Sequence, residues 1–291
     1  MALPSIGAGG SRSADPPARY AAPAPGQGLQ SGAMTDTRLW DRAALPAVDG
    51  RRLPEVPALA ADLPTVPDLF DFMRDAEARF VTLRMRILER SMTTRGEVET
   101  QMDVTLRHPG QAKVMTSQPG QVIGGAYEIW VSDGDLVRTY AAAHKLGTQR
   151  PIRNRPRGLA DDDFPGTAQV YEPVTSLPAE TLPETFVHPA GYCQNVLSTG
   201  RCTMTGTELI HGREAILLQC DHPRTVVLAG DRPDHRIEIA VDRQIGVIVR
   251  LVETIGGQVT RHAEVTDLQP DAPLPPTAFE FLFPTGTTML Y

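Results

Sequence analysis

The first sustained periodicity along the chain begins at Asp68, where Leu69, Phe72, Met73, Ala76 and Phe80 recur at helical spacing. Asp68 follows Pro67 and is placed to cap the start of that helix. Directly afterwards the period shortens to that of a strand. Val81, Leu83, Met85 and Ile87 alternate with Thr82, Arg84 and Arg86. Val98, Met102, Val104 and Leu106 then alternate with Glu97, Glu99, Gln101, Asp103 and Arg107. With Thr93-Thr94-Arg95-Gly96 as the turn, the pattern predicts an antiparallel hairpin with one apolar face and one charged, wet face.

The alternation returns at Gln111–Met115, Tyr127–Ser132 and Leu136–Ala142, with Asp133-Gly134-Asp135 as a tight turn between the last two. It resumes at Thr207–Ile210, Glu214–Cys220, Arg236–Asp242, Val247–Thr254 and Gln258–Asp267. The total is about ten strands of an antiparallel meander behind one helix, an α+β arrangement. So wide a sheet must curl, because strand twist accumulates across it, and its apolar inner face then needs a cover. Residues 144–206 interrupt the meander with weak strand patterning and short helix-like pieces at Leu177–Phe186 and Ala190–Leu197. Such an insertion is expected to lie as a lid or binding loop across the open side of the sheet.

This order of elements resembles the LolA-like family over roughly residues 66–285, within one expected domain of residues 66–291. Its most specific pieces are the helix running straight into VTLRMRILERS, the pair YEIWVSDGDLVRTY, and the ending IEIAVDRQIGVIVRLVETIGGQVTRHAEVTDLQPDAPLPPTAFEFLFP. In that ending a strand carries a turn-forming Asp-Arg-x-x-Gly, two strands follow, and a Pro-rich stretch leads to a Phe-x-Phe-x-x-Pro close. The family includes periplasmic lipoprotein carriers, RseB-type regulators and LppX-type lipid carriers. The resemblance implies a strongly curved antiparallel sheet, a half-open β-barrel. Helices would close its mouth over an apolar cavity for acyl chains or a lipidated protein terminus. It also implies the cell envelope as the place of work.

Residues 1–33 hold five Pro and six Gly with scarcely a large aliphatic side chain, and Pro46, Pro54, Pro57 and Pro64 continue the bias. Residues 1–65 are therefore expected to be a disordered lead-in, with too little apolar surface to offset the entropy of ordering. No basic segment leads there into a continuous apolar core of signal-peptide type, no cysteine precedes Cys193, and a second Met stands at Met34. Family members are normally exported, so this is a departure from the pattern, as is a lid segment that is Pro-interrupted and charged. The 291 residues carry a net charge of −7, with no concentrated Lys/Arg block, which argues against nucleic acid as a partner. No run of apolar residues is long enough for a transmembrane helix.

Candidate chemistry is sparse. Cys193 and Cys202, separated by eight residues, suit a disulfide closing a short lid loop, whereas the odd total of three cysteines suits ordinary reduced thiols. Cys220-Asp221-His222 and Asp234-His235 hold zinc-ligand residue types at a spacing that fits no standard site. The chain has no Gly-x-Ser-x-Gly, and neither Gly124-Gly125 nor Gly256-Gly257 belongs to a phosphate-binding loop. Arg150, Arg153, Arg155 and Arg157 offer a grip for a lipid headgroup or acidic partner, or a solvated loop balanced by Asp161, Asp162 and Asp163.

The expectation is thus a non-catalytic protein without cofactor or metal. It would bind a lipid, or the acyl chains of a lipidated protein, in an apolar cavity under the lid. Leu83, Met85, Met102, Val104, Trp130, Leu217, Ile239 and Val249 are the expected lining. Methionine's flexibility suits variable cargo, although the same residues would also serve a filled core. The alternative is an RseB-like sensor or interaction module that holds a regulatory protein partner, such as a membrane-associated one.

Overall fold

A computed structural model describes residues 58–60, 62–119, 126–152, 173–224 and 232–290. Most of the expected N-terminal lead-in, the Gly124-Gly125 pair, Arg153, Arg155, Arg157 and Asp161 to Asp163 lie outside the described residues.

The opening helix α1 (Val66–Arg74) starts three residues earlier than a terminus set by Asp68 would allow. Thr65 is its N-cap, its Oγ1 accepting from the Asp68 N–H at 3.3 Å. The Asp68 carboxylate in turn accepts from the Thr65 hydroxyl at 2.6 Å. The apolar periodicity outlasts the α-helix itself, because a short 3-10 turn (Ala76–Arg79) carries it on to Phe80.

The first hairpin is β1 (Thr82–Thr93) and β2 (Gly96–Arg107), joined at the expected turn by Thr93 opposite Gly96. Leu83, Met85 and Ile87 face Leu106, Val104 and Met102 on one side and are all buried. On the other side Arg86 meets Asp103 at 2.7 Å and Arg90 meets Glu99 at 2.8 Å, both pairs being register partners. Cross-strand pairs of this kind contribute roughly 0.2–1 kcal/mol each and keep the wet face from slipping inward.

The meander continues through β3 (Gln111–Ser117), β4 (Tyr127–Asp133), β5 (Leu136–Ala141) and β6 (Leu146–Pro151). After helices α2 (Leu182–Val187) and α3 (Pro189–Asn195), strands β7 (Arg201–Ile210), β8 (Arg213–Asp221), β9 (His235–Asp242), β10 (Ile248–Ile255) and β11 (Gln258–Pro270) follow. A last strand β12 (Thr288–Leu290) ends the described chain. The described strands form one sheet of twelve, in the order β12-β6-β5-β4-β3-β2-β1-β11-β10-β9-β8-β7. That order has two ends, so the sheet is open, and β12 pairs with β6 in parallel.

Twelve strands replace the expected ten, and both ends of the expected insertion are sheet. Leu146–Pro151 pairs with Leu136–Ala141, and β7 begins at Arg201 rather than Thr207. Among the described residues, Ile152 and 173–200 are the part of the insertion outside strands. Its described helices match the two helix-like pieces only in part, beginning at Leu182 and Pro189.

Two apolar clusters lie on opposite faces of the sheet. The larger joins α1 (Leu69, Phe72, Met73), α2 (Phe186, Val187), Cys193 and Leu197 to the inner face of β1, β2, β3 and β8 to β11. The smaller sits behind β4 and β5, where Ile129, Val131 and Tyr140 meet Phe279, with Phe281 and Phe283 packed against it. The alternation in Phe279-Glu-Phe281-Leu-Phe283 thus lays aromatic rings on the outer face. Phe281 and Phe283 meet edge to face at 5.2 Å between ring centres. A β-carbon at position 147 would stand 2.7 Å from the Phe283 ring, which is why this strand carries Gly147.

Candidate functional site

Hydrogen-bonded register places the inner-face residues in continuous rows. One row runs Leu268, Met85, Val104, Val114, Trp130, Thr139 and Thr148 across β11, β1, β2, β3, β4, β5 and β6. It is apolar and buried from Met85 to Val114, becomes partly exposed at Trp130, and ends in a Thr139–Thr148 hydroxyl pair at 2.6 Å. A second row runs Leu218, Ile239, Leu251, Ala263 and Glu89. A third runs Cys202, Cys220, Ile237, Glu253, Arg261 and Ser91. The inner face therefore grades from an apolar centre into a charged corner, where Arg261 lies 3.0 Å from Glu89 and 3.5 Å from Glu253.

Most of the expected lining residues come together here. Leu83, Met85, Met102, Val104, Ile239 and Val249 are buried in the main cluster, and Trp130 packs against it. Val249 occupies the extra position of a bulge between Ile248 and Arg250. Leu217 also packs against this cluster at partial burial, but by register it pairs with Ala240, one position off the Leu218–Ile239 pair, and so starts from the opposite face. In the all-apolar run Ala215–Leu218 the sequence has no alternation to say which side each residue takes.

The helices cover the inner face mainly toward β7 and β10. Cys193 on α3 donates its thiol to Met73 Sδ on α1 at 3.7 Å. The chain that leads into α2 is fixed by a buried polar network. His188 Nδ1 lies 2.8 Å from Glu77 Oε1, while the Val174 N–H donates to Glu77 Oε2 at 3.0 Å. The Thr175 hydroxyl accepts from the Gly110 N–H at 2.8 Å and is 2.7 Å from His108 Nδ1. Burial opposes charge on Glu77, but His188, His108 and the Val174 N–H together outweigh it and hold the carboxyl below its usual value. His188 is shifted upward: burial disfavours its cation, and the Glu77 carboxylate more than compensates. His108, buried and stacked on Phe80 at 5.2 Å, is pushed down to about 4. Burial, with Glu253 nearby, drives the Tyr192 phenol above its usual value, and its hydroxyl has no hydrogen-bond partner among the described residues.

The cysteines are free, so Cys193 and Cys202 are not bridged. Helix α3 turns Cys193 toward Met73, and Cys202 instead lies in register with Cys220. His222 and His235 are neighbours through a 2.8 Å backbone bond, but His235 Nδ1 points at the Pro223 carbonyl at 3.4 Å. Among the described residues no three His, Cys, Asp or Glu side chains converge on a metal position. None of the described helices is long and apolar enough to cross a membrane.

No family model matches the sequence, and no curated protein matches it. Solved structures do match. The chain is similar to LolA-superfamily proteins. The LolA superfamily protein NE2245 from Nitrosomonas europaea is 11% identical, with a TM-score of 0.31 over 75% of this chain and 98% of that one. The lipoprotein LppX of Mycobacterium tuberculosis is 13% identical, with a TM-score of 0.38 over 72% of this chain and 99% of that one. MucB is 15% identical, with a TM-score of 0.43 over 74% of this chain and 62% of its own length. This chain therefore spans less than two thirds of MucB, which is also known in complex with MucA from Pseudomonas aeruginosa. LolA-type likeness at these scores passes no ligand, partner or residue role to this chain.

Proposed function

We propose that the chain binds a hydrophobic ligand non-covalently, without catalysis, by laying one or two acyl chains along the inner face of a curved sheet. The observation that carries this reading is the row from Met85 through Val104 and Val114 to Trp130. It is continuous and apolar, and it emerges from cover at a partly exposed aromatic side chain. Leu83, Met85, Met102, Val104, Trp130, Ile239 and Val249 are the proposed lining. Each buried methylene of a chain contributes about 0.8 kcal/mol, so a lipid or a lipidated protein terminus has ample affinity to draw on. The Glu89–Arg261–Glu253 corner supplies a polar end for such an amphipathic cargo. Helices α2 and α3, tied to Glu77 through Val174 and His188, act as the cover that moves on loading and release.

Native mass spectrometry of the protein from its source cells, before and after organic extraction, tests the proposal. A discrete added mass that extraction removes supports it, and a bare mass together with failure of fatty-acid probes to bind refutes it. The second reading, an RseB-like module for a protein partner, is favoured by β7. Among the described residues this ten-residue strand pairs only with β8 and exposes Leu209. A free edge of that length suits strand addition by a partner. One stoichiometric protein on a lipid-free chain would prefer it.

A further inference from the structure

The sheet brings two of the three cysteines face to face. Cys202 on β7 and Cys220 on β8 are direct register partners of an antiparallel pair. Such partners have Cα atoms roughly 4.5–5.5 Å apart, within the ~4.4–6.8 Å span that a disulfide bridges. Their sulfurs also point the same way. Both thiols donate to the Leu197 carbonyl, Cys202 at 3.2 Å and Cys220 at 3.3 Å. Access differs between them, since Cys202 is half-buried on the edge strand and Cys220 is buried behind it.

We infer that Cys202 and Cys220 form a thiol–disulfide exchange site, in which Cys202 meets an incoming disulfide and Cys220 resolves it into a cross-strand bridge. In the first step the Cys202 thiolate attacks one sulfur of R–S–S–R, forming a mixed disulfide and releasing one RS⁻. Cys220 then passes its proton to the released RS⁻ and attacks the Cys202 sulfur, releasing the second RS⁻, which is protonated from water. Two protein S–H bonds are lost, one S–S bond forms, and the incoming disulfide is reduced to two thiols. The adjacency of the two sulfurs accompanies this division of labour: the neighbouring Cys220 holds the Cys202 thiol below its usual value, and Cys202 pushes the Cys220 thiol up. Cys193 takes no part, being buried against Met73 with its own thiol pushed up by desolvation. Oxidation removes both thiol donors from the Leu197 carbonyl, leaving it the Gly200 N–H at 3.1 Å. Leu197 follows α3 directly, so the bridge alters how the helical cover is held to the edge of the sheet. The inference stands apart from any ligand.

The test uses the full chain in buffers of reduced and oxidised glutathione, quenched with acid, alkylated and cleaved with trypsin. Arg201 and Arg213 separate the three cysteines onto three peptides. The expected product is a link between the Cys202 and Cys220 peptides, with two hydrogens lost from the intact mass and Cys193 alkylated only after denaturation. In C220S the glutathione adduct on Cys202 should persist instead of resolving. A Cys193–Cys202 link, a lasting Cys202 adduct in the unaltered chain, or three fully alkylatable cysteines at every glutathione ratio would each overturn the inference. The mapping on the unaltered chain decides the matter even where C220S fails to fold.

Discussion

His188 and Glu77 form an ion pair at 2.8 Å with both side chains almost wholly removed from water, at 2% and 1% exposure. Through Val174 and Thr175 the same pair reaches the backbone that leads into α2, and through His108 it reaches the turn between β2 and β3. It is thus the point at which the cover is tied to the sheet. Breaking one side of a buried pair leaves an uncompensated charge and costs about 3–5 kcal/mol. His188→Ala is expected to lose that much stability in urea unfolding. A loss under about 1 kcal/mol, the usual worth of an exposed pair, would show that the pair is open to water.

The shifts also give the stability of the protein a maximum in pH. His188 is raised, so its contribution is complete below the ordinary imidazole value of 6.5 and is lost as pH climbs through its higher folded value. His108 is lowered to about 4, so the unfolded chain takes up its proton first and stability falls as pH drops from 6.5 toward 4. Glu77 is lowered, and its contribution is lost as pH falls from its ordinary 4.5 through its folded value. Stability should therefore peak near 6.5. His108→Gln is expected to flatten the acid limb and His188→Gln the alkaline limb, read from unfolding midpoints across pH. A profile unchanged by either substitution would refute these assignments.

The parts of the fold that were legible in the sequence are those where burial alternates. Arg84 and Arg86 between Leu83, Met85 and Ile87 can only mean a strand with one wet face, and the structure agrees. Strand β6 was illegible because Leu-Gly-Thr-Gln-Arg-Pro carries no alternation. Its place is set by pairing with β5 and by the Phe283 ring over Gly147. The Cys202 partner was hidden for a different reason. Counting back from the Ile210–Arg213 pair puts Asp221 opposite Cys202, and only the bulge between Met204 and Gly206 moves Cys220 into that place. A bulge of this kind leaves little trace in one sequence. The face taken by Leu217 was illegible because an unbroken apolar run conceals its own register.

The Asp-Arg-x-x-Gly motif read in the sequence has a physical job. Asp242 is fully buried at the end of β9, where its carboxylate takes Arg213 at 2.6 and 3.0 Å and the N–H groups of Gln244 and Ile245 at 3.0 and 2.9 Å. Gly246 closes the turn at φ 79°, and a β-carbon there would lie 3.0 Å from the Phe72 carbonyl of α1. Asp242→Ala strands several buried donors and should cost more than about 2 kcal/mol. Asp242→Asn, which keeps an acceptor for the turn, should cost less. Gly246→Ala should cost roughly 1–2 kcal/mol from the left-handed backbone alone. Calorimetric midpoints falling in another order would show that the turn does not depend on these contacts.

Three substitutions separate a ligand-bearing face from a filled core. Leu83 is fully buried at the centre of the main cluster, so Leu83→Ala should cost about 2–5 kcal/mol whatever the protein binds. Trp130 lies in the same inner-face row system but is only partly buried, with Thr139 as its register partner on β5. Trp130→Ala is expected to cost much less stability while weakening a fluorescent fatty-acid probe by about tenfold, or 1.4 kcal/mol. By register Leu217 starts from the other face, and Leu217→Ser should leave probe affinity unchanged. A Trp130→Ala variant that loses stability like Leu83→Ala yet binds the probe as before would mean that the row is solid packing. In that event the apolar face has no cargo to hold, and the edge strand β7 becomes the surface through which the protein acts.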